Sequence, residues 1–474
     1  MMMRWHFLPL GVALLSGCSS APSEASLEEP GPVAPLGSEV WRPCGRTSYL
    51  LRDIQPGAVG SEPRELTKGD RILFFTADDG VSGRELWKSS GTGGSGTRQV
   101  RDIFPGAGSA DPASLAMVED TLYFSADDGV SGRELWRSEG TRDSTRRVAD
   151  LVTGPGSSDP QDLIEFDGRL YFSADDGVNG RRLWTSDGTA AGTRRVAALP
   201  DPAFEARSPS LLTRLDDEVF FFRTARRDVV DLWRSDGTDD GTFRLDTGPD
   251  SIRPLTPARD LLFYVGNNEG EENLRRTDGT PEGTFPLMSR DLTRIDEVEA
   301  VGRRVLFSVE RFADGSPTLW RSDGTPEGTV SVAAFASRPL HLTRLGTRVF
   351  FTVEDAAHGR ELWVSDGTAA GTHLFKDLVP GAAGSTPEEL TVVEDNLFFS
   401  AVTLAGGREP WVSDGTPDGT RPLREIAPGV ASSHPMGFIR SGWDVFFSAE
   451  DGSRGRELWA LPFRPEDACD SAAR

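Results

Sequence analysis

Runs of consecutive apolar and aromatic residues recur along the chain, at Leu73-Phe74-Phe75, Leu122-Tyr123-Phe124, Leu170-Tyr171-Phe172, Val219-Phe220-Phe221-Phe222, Leu262-Phe263-Tyr264, Val305-Leu306-Phe307, Val349-Phe350-Phe351, Leu397-Phe398-Phe399 and Val445-Phe446-Phe447. They do not alternate with polar residues, so each predicts a strand buried on both faces. After each run comes a turn, commonly Gly-containing, then a second run that mostly ends in Leu-Trp. Another Gly turn follows, then a stretch such as Thr97 to Ile103. A further short strand precedes the aromatic run, as at Pro112 to Leu115. Short Gly turns make strands two to four of each unit antiparallel neighbours. A longer loop, such as Phe104 to Pro112, links the fourth strand to the next unit.

Aligned on the end of the third strand, the units fall at Trp87, Trp136, Trp184, Trp233, Arg275, Trp320, Trp363, Trp411 and Trp459, at intervals of 42 to 49 residues. A period in the forties is that of propeller blades. The ends carry the phase. Ser48 to Gly57 reads as a lone fourth strand with its loop, while Arg456 to Leu461 is a third strand with no fourth after it. Eight complete units and one shared between the two ends predict an all-β fold, a β-propeller of about nine four-stranded blades with shared-blade closure. That number exceeds the usual four to eight.

The start of the chain reads differently. Arg4 and the apolar stretch Phe7 to Leu15 lead into Leu15-Ser16-Gly17-Cys18, which resembles the bacterial lipobox. The resemblance implies cleavage before Cys18 and acylation of its sulfur and new amino terminus, a firm membrane anchor without a spanning helix. Residues 1–17 are thus expected as a lipoprotein signal peptide, 18–43 as a flexible Ser/Pro/Glu tether, 44–469 as the propeller and 470–474 as a tail. Delivery to the bacterial cell envelope follows, at the outer membrane because Ser19 and Ser20 lack the Asp of inner-membrane retention. The formal net charge of −23 argues against nucleic acid as a partner.

With Cys18 lipidated, Cys44 and Cys469 remain, in a compartment that permits disulfides. Both fall at the seam of the expected ring, where the turn between a third and a fourth strand would sit. A bond between them is expected, and it requires Cα atoms within about 7 Å.

The text Glu361-Leu362-Trp363-Val364-Ser365-Asp366-Gly367-Thr368, repeated from residue 48 to 462, resembles the bacterial ELWxxDGT repeat family. That family comprises large secreted or surface proteins and lipoproteins, and the resemblance implies location more than chemistry. Ser125 to Gly129 is similar to the start of the Asp-box of sialidase-type propellers, though the aromatic residue comes later here.

Candidate chemistry is sparse. The Asp-Asp-Gly turns at Asp78, Asp127 and Asp175 offer carboxylates to a calcium ion, or accept hydrogen bonds from amides of their own turns. No cofactor other than Ca2+ is expected. The Ser-Asp-Gly-Thr turns read as turn chemistry, the tryptophans as inter-blade packing and the Arg-Glu pairs before Leu-Trp as ion pairs. Units four to six lose both the Pro-Gly loop and the Asp-Asp-Gly turn. They carry individual loops instead, with Arg223, Arg226, Arg227, Asn267, Asn268, Glu310 and Arg311 as candidate binding residues. No nucleophile elbow, HExxH, CxxC or phosphate loop is present. The expected function is a non-catalytic, membrane-anchored lipoprotein, its propeller a binding or scaffold module for a protein or glycan partner. The alternatives are a glycan-acting enzyme of sialidase or lyase type and a calcium-stabilised structural protein.

Overall fold

The computed structural model describes residues 40–471 apart from 46, 197–208, 227–228, 239, 248–253, 269–270, 289–292, 312–314 and 405–406. The expected signal peptide, Cys18 and most of the expected tether lie outside the described residues.

Each unit folds as the pattern predicts. In the first blade the strands are Arg64–Lys68, Leu73–Asp78, Arg84–Ser89 and Thr97–Arg101, paired antiparallel in chain order. Seven more four-stranded sheets repeat this arrangement, and a ninth sheet joins the two ends of the chain. The first strands of successive blades contact one another all the way round, and Met436–Ser441 of the ninth meets Arg64–Lys68 of the first. The fold is a closed nine-bladed β-propeller with the first strands innermost.

The core is nine separate clusters, one between each pair of adjacent blades. Phe74 packs into the cluster with the next blade and Phe75 into the cluster with the previous one. This division explains why the aromatic runs carry no polar residue. Trp87 packs with Phe446 and Leu458 of the preceding blade, and Trp136 with Phe74 and Leu86. The tryptophans do the inter-blade packing expected of them.

The seam departs from expectation in three details. The third strand of blade nine runs to Pro465 rather than Leu461, and its edge holds two short strands instead of one. Tyr49–Leu50 pairs with Ala460 and Trp459, and Trp41–Pro43 pairs with Pro465 to Phe463. The last residues assigned to the tether are therefore part of the sheet, because the lengthened strand offers backbone groups that need partners. Cys469 lies not in a strand-linking turn but in the helix Glu466–Ser471, which also takes in the first two residues of the expected tail. The disulfide between Cys44 and Cys469 is present, with a Cα separation of 5.2 Å.

Candidate functional site

The repeat acids were the first candidates, and their partners are backbone amides. Asp78, Asp127 and Asp175 each accept the N–H of the Gly two residues on, at 2.7, 2.7 and 2.8 Å. The following Asp79 takes the N–H groups of Val81 and Ser82 at 2.9 and 2.7 Å. Burial pushes its carboxyl up, but these donors outweigh it and hold the group below the usual range. The Ser-Asp-Gly-Thr turns are closed in the same way. Asp366 accepts the amide and hydroxyl of Thr368, Thr368 Oγ1 accepts the N–H of Gly371, and Ser365 and Thr372 share a hydroxyl bond of 2.7 Å. Among the described residues no group of three or more His, Cys, Asp or Glu side chains converges as metal ligands.

The Arg-Glu pairs meet expectation in part: Arg360, Arg408 and Arg456 form ion pairs with Glu354, Glu388 and Glu450 at 3.5, 3.4 and 2.8 Å, but not with the adjacent Glu. The Glu is buried and holds backbone, not Arg. Glu361 accepts the N–H groups of Leu378, Val379 and Ser385 at 3.2, 3.1 and 2.7 Å, and the hydroxyl of Ser385 at 2.7 Å. Glu85, Glu134, Glu409 and Glu457 grip their Pro-Gly loops in the same manner. The preceding Arg reaches a different target. Arg84 donates to the carbonyl of Glu62 at 2.8 Å and Arg133 to that of Asp111 at 2.7 Å. Charge attraction gives way because the loop amides would otherwise be buried without acceptors. Where the loop is lost, Arg182, Asp231, Asn273 and Thr318 stand in place of the Glu. The sequence held this signal, a Glu before Leu-Trp paired with a Pro-Gly loop some twenty residues later.

In blade five, Arg275 replaces the Trp. Its guanidinium meets Asp246 of blade four at 2.8 Å and lies 3.3 Å from the Tyr264 hydroxyl, which donates to Asp246 at 2.5 Å. Burial, with Asp246 adding to it, drives the Tyr264 hydroxyl well above its ordinary pKa. The triad lies within the stack of blades, not at the ring's centre. Tyr49, Tyr123, Tyr171 and Tyr264 all lie off the innermost strands, so a central Arg-Glu-Tyr cluster of sialidase type is not assembled.

Most of the innermost strands carry a bulge with a residue at positive φ, such as Glu65 at 55° and His341 at 61°. Carboxylates brace some of these bulges across blades. Glu297 accepts the N–H groups of His341 and Leu342 at 2.9 and 2.7 Å. An open cavity of about 380 Å³ lies between the innermost strands of blades seven and eight, lined by His341, Thr343, Glu388, Glu389, Leu390 and Thr391.

In blades four to six the described candidate residues lie on the second strands, Glu218–Arg226, Leu261–Asn268 and Arg304–Arg311. Arg223 and Arg226 lie on the strand Glu218–Arg226, in register with Asp231 and Val229, while Arg227 lies outside the described residues. Asn267 and Asn268 pair with Glu272 and Glu271, and Arg311 with Thr293. Glu310 is ion-paired to Arg338, which also meets Asp296 at 3.1 Å. These residues share one sector, on three separate hairpins.

A feature not assigned to any site in the sequence lies at the seam. Trp443 is 54% exposed and its ring centroid is 5.7 Å from that of Trp41. The Arg440 guanidinium sits 4.1 Å from the Trp41 ring centroid. The signal was a Trp outside the repeat register.

No family model matches the chain, and no curated protein matches it. Among solved structures it is similar to a prolyl endopeptidase, at 13% identity and a TM-score of 0.41, over 65% of this chain and 50% of that one. It is also similar to the computationally designed Ika8 protein, at 16% identity and a TM-score of 0.40, over 73% and 96%. The β-propeller domain of the Trilobed protease from Pyrococcus furiosus aligns at 13% identity and a TM-score of 0.36, over 74% and 94%. The chain thus spans half the length of the first of these, and likenesses this distant say nothing of activity.

Proposed function

We propose that the protein is a non-catalytic lipoprotein of the bacterial cell envelope, of the ELWxxDGT repeat type, whose nine-bladed ring is a binding scaffold for a protein or glycan. The observation that carries this reading is where the repeat carboxylates go. Asp78, Asp79, Asp366 and Glu361, with their counterparts, hold turns and loops rather than pointing at a common centre. The sequence Leu15 to Cys18 supports the anchor. The test is to express the full chain in a bacterium that processes lipoproteins and to follow palmitate incorporation and membrane fractionation. Incorporation lost in Cys18→Ser, with release from the membrane fraction, is the expected result. Unlabelled wild-type protein would remove the anchor from the account.

A catalytic reading has a candidate place in the cavity at His341, Glu388 and Glu389. Hydrolysis of a polysaccharide by purified protein, abolished in Glu389→Gln, would displace the scaffold reading.

A further inference from the structure

The turns between first and second strands are short and polar at their tips in blades one to eight, with Arg71, Asp120, Asp217, Asp260 and Asp395 among the tip residues. Blade nine alone carries an aromatic tip, Trp443, in the turn Gly442-Trp443 between Met436–Ser441 and Asp444–Glu450. Trp443 is 54% exposed, so a broad aromatic face is open to solvent at this tip. Covering Trp41 accounts for part of the ring, but a smaller aliphatic residue would do the same with less exposed surface.

The ring is held in place. Trp443 leans on Trp41 with an interplanar angle of 32°, and its carbonyl accepts the N–H of Phe463 at 2.8 Å. Trp41 is in turn fixed by Phe463 at 5.9 Å and by the Nδ2 of Asn396, which donates to its carbonyl at 2.8 Å. Polar groups flank the pair in a set geometry. Arg440 donates through Nε to Glu394 at 2.6 Å and through Nη1 to the carbonyl of Gly442 at 2.9 Å. Asp395 lies exposed in the neighbouring turn.

We propose that Trp443, backed by Trp41, is a stacking platform for a pyranose ring of a neutral glycan, with Arg440, Glu394 and Asp395 placed at its rim for the sugar hydroxyls. This rests on the scaffold reading above and names its ligand class and site. A rigid aromatic face matches the C–H face of a pyranose, and rings held in advance bind with less ordering cost. A lipid surface fits less well. The turns on this side of the ring carry more carboxylates, among them Asp120, Asp217, Asp260 and Asp395, than cations (Arg71, Arg259 and Arg303), a balance that anionic headgroups would repel.

The test is affinity electrophoresis of the full mature chain in gels containing hydroxyethyl cellulose, galactomannan or soluble xylan. Wild type, Trp443→Ala and Trp443→Tyr are compared, with the Cys44–Cys469 bond and the Tm as controls on folding. The expected result is retardation by at least one of these polysaccharides, weakened at least tenfold in Trp443→Ala and partly restored in Trp443→Tyr. Should Trp443→Ala disturb the seam, Asp395→Ala reads the same site and is expected to weaken retardation severalfold. Undiminished retardation of the variants overturns the platform while leaving glycan binding elsewhere on the ring. No retardation in any gel overturns the glycan proposal and leaves a protein partner for the scaffold. Trp443-dependent sedimentation of unlipidated protein with phosphatidylglycerol vesicles, without retardation, replaces it with a membrane contact.

Discussion

A Glu two residues before the Trp and a Pro-Gly loop after the same blade's fourth strand occur together five times and are absent together elsewhere. Physics links them, because the loop turns several N–H groups inward and a buried carboxylate is the acceptor that can take them all. Glu361→Ala would leave those donors without a partner, and a loss of about 2–3 kcal/mol in denaturant unfolding is expected. Near-wild-type stability would mean that the loop does not depend on the carboxylate. Burial pushes the Glu85 carboxyl up to about 7, against the pull of the Ile103 and Phe104 amides. A raised carboxyl contributes stability most fully below its ordinary range and loses it as pH rises through about 7. The Tm is therefore expected to be higher near pH 5.5 than near pH 8, with the difference reduced in Glu85→Gln. The Arg275 triad makes a second residue-scale case. Arg275→Ala strands Asp246 inside the stack and is expected to cost about 3–5 kcal/mol. Arg275→Trp combined with Asp246→Ala and Tyr264→Phe should recover most of it, and failure to recover would mean that the triad does more than fill the Trp position.

At the scale of the element, the Ser-Asp-Gly-Thr turn shows why the repeat is written as it is. The second Gly of each turn lies against the Asp carboxylate. A Cβ on Gly371 would fall 2.1 Å from Asp366 Oδ1. Gly371→Ala is expected to lower stability by about 1–3 kcal/mol, measured by thermal or urea unfolding, whereas Ala370→Ser in the same exposed turn should change little. Blade strands, their order and their turns were legible from the apolar runs and the Gly spacing, since both faces of every aromatic run are buried and period-2 alternation had no reason to appear. The carboxylate roles were less legible. Adjacency in Arg133-Glu134 reads as an ion pair, but neighbouring residues on a strand face opposite sides. Glu134 goes inward to Ser158 and Leu151, and Arg133 reaches Asp111. Trp443 was visible only as a Trp out of register, because a partner strand at Trp41 depends on the unforeseen extension of the last strand to Pro465.

At the scale of the molecule, closure depends on a short seam. Trp41–Pro43 and Tyr49–Leu50 supply few hydrogen bonds to blade nine, and the cluster joining it to blade one includes Leu51, Ile54, Phe446 and Leu458. The disulfide restrains a loop of 425 residues, for which chain entropy alone gives about 5–6 kcal/mol as an upper figure. Reduction is accordingly expected to lower the Tm and to release protease sites in residues 40–60 before any others. The central claim is that one ring of nine blades is closed by joining the two ends of the chain. Peptide mapping of unreduced protein from an oxidising compartment tests it most directly. A single cross-linked species containing Cys44 and Cys469 within one chain is the expected result. Two free, alkylatable thiols, or a bond between separate chains, would contradict the closed ring.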